Sequence, residues 1–159
     1  MFFFLASGSC KMRTYPMFML LIVFRSLGKY CIYKYGESCP KGLKTGSFHW
    51  DDINDNNRND YGGVLPEGRY DNDTTIMYCC QDSGDMNQPI DLPFDKPFFL
   101  LPYKIAICQH VKWTVRSLEK IVYDTEGDNN SDSSKGHHGY VKQKNSLATA
   151  YYCYYKGMN

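Results

Sequence analysis

Two stretches of this chain carry the same cysteine-framed pattern in the same order. The first runs from Cys39 through Trp50-Asp51-Asp52-Ile53-Asn54-Asp55-Asn56-Asn57 and a Gly62-Gly63 turn to Met77-Tyr78-Cys79. The second runs from Cys108 through Tyr123-Asp124-Thr125-Glu126-Gly127-Asp128-Asn129-Asn130 and Gly136-His137-His138-Gly139 to Tyr151-Tyr152-Cys153. The anchors are displaced by 69, 73 and 74 positions, so the copies differ by a few loop residues and keep their order. A chain that repeats one unit folds as a repeat, with each unit answering to the same local rules.

The repeat assigns the cysteines. Each copy opens and closes on one, and closure within the copy pairs Cys39 with Cys79 and Cys108 with Cys153, in loops of 41 and 46 residues. Such loops contribute roughly 4 kcal/mol each in the chain-entropy account. Cys31 and Cys80 lie just outside the anchors of the first copy and form the third pair, which leaves Cys10 over. Six cysteines allow 15 pairings, so the map is an inference from the repeat. Framed repetition of this kind belongs in an oxidising compartment.

Charge selects no partner. The first 27 residues hold Lys11, Arg13 and Arg25 and no acid, which leaves 15 basic against 17 acidic side chains in the remainder. With no basic stripe to meet phosphates, no nucleic-acid partner is expected. Met17 to Phe24 is an apolar run of eight behind Lys11 and Arg13. It is too short for a membrane span and has the outline of a secretory leader, although Phe24-Arg25-Ser26 is a poor cleavage site. The expected organisation is a leader or gene-model remnant over 1–27 and one domain over 28–159, with repeat units at about 29–81 and 96–156. The sequons Asn72-Asp73-Thr74 and Asn129-Asn130-Ser131 fall in polar loops and add little.

Short runs of Tyr, Ile, Val, Phe and Thr alternate with Gly, Asn, Asp and Pro clusters, and no stretch sustains a helical period. The chain reads as all-β, with strands expected at 30–35, 47–51, 74–81, 97–103, 106–115, 118–123, 140–143 and 148–155. Adjacent Cys79 and Cys80 on one strand must point to opposite faces. One is expected to staple inward to its own repeat and the other outward to the strand bearing Cys31.

Several spaced motifs together resemble the C-terminal domain of apextrin, the ApeC domain. They are Gly36-Glu37-Ser38-Cys39-Pro40-Lys41-Gly42, Gly63-Val64-Leu65-Pro66-Glu67-Gly68-Arg69-Tyr70, Thr75-Ile76-Met77-Tyr78-Cys79-Cys80, Pro89-Ile90-Asp91-Leu92-Pro93, Lys96-Pro97-Phe98-Phe99-Leu100 and Tyr152-Cys153-Tyr154-Tyr155. The resemblance implies a secreted or surface-exposed protein of aquatic invertebrates, found alone or after a perforin-type domain. Such proteins are associated with apical extracellular matrix and with innate defence, including recognition of bacterial cell-wall glycan. Family members usually begin with a further cysteine-framed unit, in whose place this chain has 1–26, so a truncated domain is expected. The fold implied is disulfide-stapled antiparallel repeats in a β-prism-like arrangement with pseudo-symmetry, the alternative being a β-sandwich.

Chemistry is sparse. Asp52, Asn54, Asn56 and Asp60 in one copy, with Asp124, Glu126, Asp128, Asn130 and Asp132 in the other, offer oxygens at alternating positions, as calcium requires. The EF-hand glycine and glutamate are absent, and Asx side chains capping turns explain the same composition. No cofactor is expected, calcium being the one candidate these loops offer. His137-His138 has no third ligand spaced for zinc. There is no nucleophile elbow, zinc-protease motif or phosphate loop, so a non-enzymatic protein is expected. Candidate ligand-binding residues are Trp50, Asp52, Asn54, Asn56, Tyr123, Asp124, Asp128 and Asn130, with Trp113 a further aromatic: a ring face for a pyranose, and amides or carboxylates for its hydroxyls. Trp50 reads better as core than as a ligand contact, because Tyr123 stands in its place in the other copy. The expected function is a secreted module that binds microbial cell-wall glycan, the alternative being an adhesive extracellular-matrix protein that contacts other proteins.

Overall fold

The computed structural model describes residues 27–51, 60–125 and 130–158. The described residues form strands and loops without a helix: β1 (Tyr30–Tyr33), β2 (Lys44–Trp50), β3 (Gly68–Tyr70), β4 (Thr74–Gln81), β5 (Phe98–Pro102), β6 (Thr114–Asp124), β7 (Ser133–Gly136), β8 (Val141–Lys144) and β9 (Leu147–Gly157). They make one hydrogen-bonded sheet in the order β6-β9-β5-β1-β4-β2-β7, with β3 added on β4 and β8 on β9. Every paired strand is antiparallel.

The repeat is visible in the register. In each half the last strand, β4 or β9, pairs with the first (β1 or β5), the second (β2 or β6) and a short hairpin partner (β3 or β8). Ile32 faces Cys79 as Leu100 faces Cys153, Thr45 faces Cys79 as Leu118 faces Cys153, and Gly68 faces Ile76 as Val141 faces Ala150. Cys39–Cys79 and Cys108–Cys153 close the two halves with the same Cα separation, 5.5 Å. The halves meet where β1 pairs with its own counterpart β5, Tyr30 opposite Pro102 and Cys31 opposite Leu101. A local twofold between these strands relates β6-β9-β5 to β2-β4-β1. The extra strand β7 breaks it: this segment of the second half lies on β2 of the first.

Alternation along the strands feeds two cores. On β1, Tyr30 and Ile32 join Leu100, Val111, Cys153 and Tyr155 on one face, and Cys31 and Tyr33 join Phe48, Trp50, Tyr78, Leu101 and Tyr152 on the other. In the second cluster the rings of Trp50 on β2 and Tyr123 on β6 approach to 5.8 Å, although their strands stand far apart in the sheet order. The sheet therefore curls over this face. Burying a ring such as Phe48 or Tyr78, each 2% exposed, contributes roughly 2 kcal/mol.

The three disulfides are the pairs that the repeat assigns. The inward and outward senses expected of the adjacent cysteines are corrected, because both faces of the sheet are packed. Cys79 and Cys80 are both buried, and it is Cys31–Cys80 that lies in the larger core. The strand expected at 106–115 is also corrected. The segment between β5 and β6 is a loop whose apolar residues Cys108 and Val111 dip separately into the smaller core. Strands β3 and β7 went unread, since Gly68–Tyr70 is short and Ser133–Gly136 is polar and exposed throughout.

Candidate functional site

The register that joins the halves also builds a cleft. One step beyond Tyr30, which faces Gln81 on one side and Pro102 on the other, three neighbouring positions line up across the sheet: Tyr103, Lys29 and Asp82. These three, with Met86, Lys104 and Ile105, line a cleft of about 300 Å³. The row lies on the face of the larger core, next in line after the buried Cys31, Cys80 and Leu101. Rigid strand ends therefore set its position.

Lys44, the first residue of β2, places its Nζ 2.7 Å from Asp82 Oδ2. That hydrogen bond holds the Asp82 carboxyl below the usual carboxylate range and the Lys44 ammonium above its own. Asp82 is thus an anion at neutral pH. Against its single charge stand the ammonium groups of Lys29, Lys44 and Lys104, an excess of two positive charges before His137 is counted. His137 Nδ1 is hydrogen-bonded to Tyr103 Oη at 2.8 Å and stands 3.6 Å from Asp82 Oδ2.

His137 reaches this place because β2 carries glycine. A Cβ on Gly46 would sit 2.2 Å from the backbone nitrogen and oxygen of His137, closer than atoms can approach. Gly136 supports the same contact with a φ of 69°. The chain after β7 is thereby drawn against β2, with His137 N donating to Thr45 O at 3.3 Å.

Lys104 is held in a strained conformation. Its φ is 63°, and Ile105 N donates to Tyr103 O across it at 2.9 Å, a γ-turn of the rarer positive-φ kind. Strain of this sort costs of order 1 to 3 kcal/mol and concentrates at functional sites. The turn brings Lys104 Nζ to 5.1 Å from the centre of the Tyr103 ring. Gln109 fixes the other wall. Only 1% exposed, it accepts from Lys29 N at 2.8 Å through Oε1 and donates through Nε2 to the carbonyls of Gln88 at 2.8 Å and of Met86 and His110 at 3.2 Å. It is a positioning residue for Lys29 and Met86.

The cleft offers cations, a carboxylate and apolar Met86 and Ile105 in one depression, over a floor formed by the buried Tyr103. This combination suits a hydroxyl-rich ligand that carries negative charge. Sequence reasoning missed Lys29, Asp82, Tyr103 and Lys104, and weighed His137 only as a zinc ligand. The signal was present in the strand register, which placed Lys29 beside both Asp82 and Tyr103.

The residues singled out in the sequence sit elsewhere. Trp50 is 5% exposed, with its ring 4.6 Å from Phe48, so it belongs to the core and presents no face to a sugar. Tyr123 is half-buried, its hydroxyl 3.4 Å from that of Tyr152. Asp124 is exposed at the end of β6. Trp113 is 65% exposed with a φ of 60°, a conformation rare for a bulky residue. Asp52, Asn54, Asn56, Glu126 and Asp128 lie outside the described residues.

The two acidic loops are drawn together rather than standing as separate sites. Asp51 N donates to Asp132 Oδ1 at 2.8 Å, and Ser131 N donates to Asp51 Oδ2 at 2.7 Å. Asp132 N donates to Asn130 Oδ1 at 2.7 Å, and Tyr61 N donates to Asp60 Oδ1 at 2.8 Å. These oxygens cap backbone amides, as the turn reading requires. Among the described residues no three of the His, Cys, Asp or Glu side chains are grouped to hold a metal ion. Melting curves recorded in calcium and in chelator test whether these loops also hold a cation, and superimposed curves would leave turn capping as their explanation. A rise in Tm with calcium would reveal a ligand bound by the folded state alone.

The fold and its bridges define a duplicated, disulfide-closed, antiparallel β domain of the kind that persists in oxidising surroundings. The family model described as the C-terminal domain of apextrin matches residues 22–155, and the chain belongs to that family. No curated protein and no solved structure matches it. No helix among the described residues is long and apolar enough to cross a membrane.

Proposed function

We propose that this chain is a non-enzymatic, secreted recognition module of innate defence that binds bacterial cell-wall glycan in the cleft between Lys29, Asp82, Tyr103 and Lys104. The observation that carries the reading is the cleft itself: three ammonium groups and one carboxylate around a phenol, at the ends of adjoining strands. Lysines answer acidic groups on the glycan, Asp82 answers its hydroxyls, and Met86 and Ile105 give its apolar face a surface, while Tyr103, buried and hydrogen-bonded to His137, forms the floor. Family membership and three disulfides support the extracellular setting.

Co-sedimentation with insoluble peptidoglycan tests it. The oxidised chain is expected to sediment, and the Lys29→Ala/Lys104→Ala double variant, which removes two charges from partly or fully exposed positions, is expected to bind about tenfold more weakly. A wild-type chain left in the supernatant, or a double variant that binds equally well, would overturn the reading.

A second reading is an adhesive matrix protein, favoured by the exposed apolar side chains of β6: Val115, Leu118, Ile121 and Val122. Immunolocalisation to extracellular matrix with no retention on bacteria would favour it over the first.

A further inference from the structure

The local twofold makes β2 and β6 equivalent edge strands, yet they are treated differently. β2 is covered by β7, which pairs with Gly46 to His49. β6 pairs with β9 over all eleven of its residues, from Thr114 opposite Gly157 to Asp124 opposite Leu147. Its other edge meets no strand among the described residues. Residues 115 to 122 are exposed without interruption, and four of these eight are apolar: Val115, Leu118, Ile121 and Val122, at 41–56% exposure. A long, regular, partly apolar strand edge is a template for another strand.

We propose that β6 pairs antiparallel with β6 of a second copy of this chain, giving a twofold dimer with a continuous sheet. Symmetry restricts the register. With the dyad perpendicular to the sheet, opposed residues share a face, so they are separated along β6 by an even number of positions. In one such register Lys120 lies on the dyad. Arg116 then stands opposite Asp124 of the second copy and Leu118 opposite Val122 of the second copy, each twice by symmetry. The register centred on Glu119 loses both matches: Arg116 would oppose Val122 and Leu118 would oppose Lys120. Charge and apolar complementarity therefore select the first. Its costs are Glu119 opposite Ile121, twice by symmetry, and the Lys120 pair, whose long stems can swing the ammonium groups apart. The dimer stands or falls independently of the glycan reading.

Sedimentation equilibrium of the oxidised chain over micromolar concentrations tests this. A monomer–dimer equilibrium is expected for the wild type. Arg116→Glu alone, and Asp124→Arg alone, each place two like-charge pairs across the dyad and are expected to weaken the dimer about tenfold. The combined Arg116→Glu/Asp124→Arg chain restores opposite charges and is expected to recover wild-type association. Both positions are exposed, so melting temperatures recorded at a dilution where every chain is monomeric are expected to agree and will show that folding is intact. A strictly monomeric wild type, single variants that dimerise normally, or a double variant that stays as weak as the singles would each overturn the proposal.

Discussion

Replacing Cys108 with alanine is expected to leave Cys153 as a free thiol and to destabilise the protein by about 2–5 kcal/mol, enough to bring a small domain close to unfolding at physiological temperature. The bridge closes a sequence separation of 45 residues that contains all of β6, β7 and β8. Cys108 and Cys153 are 8% and 1% exposed and sit in the smaller core with Val111 and Tyr155, so a packing defect accompanies the loss of the cross-link. Urea unfolding with thiol titration measures both effects. The equivalence of the halves adds a condition. Cys39→Ala breaks the corresponding bridge over a separation of 40 residues and is expected to cost a similar amount while freeing Cys79.

Gln109→Leu is expected to destabilise the protein by about 2–3 kcal/mol. The leucine keeps the volume and removes both ends of a buried amide. Lys29 N loses its acceptor and the Gln88 carbonyl its donor, while Met86 O keeps the His110 amide and His110 O the Ile90 amide. Leaving buried polar groups unpaired costs more than a surface hydrogen bond is worth. Because Lys29 and Met86 line the cleft, glycan retention is expected to fall along with stability. Gln109→Glu restores the acceptor for Lys29 but sets a carboxylate against three carbonyls, so it is expected to rescue little. Rescue to wild-type stability would show that the amide nitrogen does not organise this loop.

Much of the fold was legible because the repeat constrains it twice over. Cys79 and Cys80 point to opposite faces by the pleat alone, and Cys31 facing Cys80 follows once β1 pairs with β4. What escaped was irregular or polar. The segment from Ile105 to Trp113 has strand composition, but two successive i→i+2 hydrogen bonds, at Ile105 and Ile107, turn it into a loop. Strand β7 is Ser-Ser-Lys-Gly, invisible to any hydrophobic period, and exists because Gly46 and Gly136 let two backbones approach. The site was hidden for a related reason. Lys29, Asp82 and Tyr103 are scattered over 75 positions, and only the pairing of β1 with both β4 and β5 makes them neighbours. The acidic loops drew attention through composition, while their described oxygens are occupied with backbone amides.

The claim on which the rest depends is that the two halves are equivalent units, each closed by its own bridge. Tryptic digestion of the unreduced chain, followed by mass spectrometry, tests it directly. The bridges predict one three-peptide assembly of residues 30–34, 35–41 and 70–104, since cleavage is blocked before Pro97, and a separate pair of residues 105–112 and 145–156. Fragmentation of the first assembly should join Cys31 to Cys80 and Cys39 to Cys79. A linkage from Cys39 to Cys153, or any peptide joining the two groups, would contradict the duplicated architecture and the cleft built upon it.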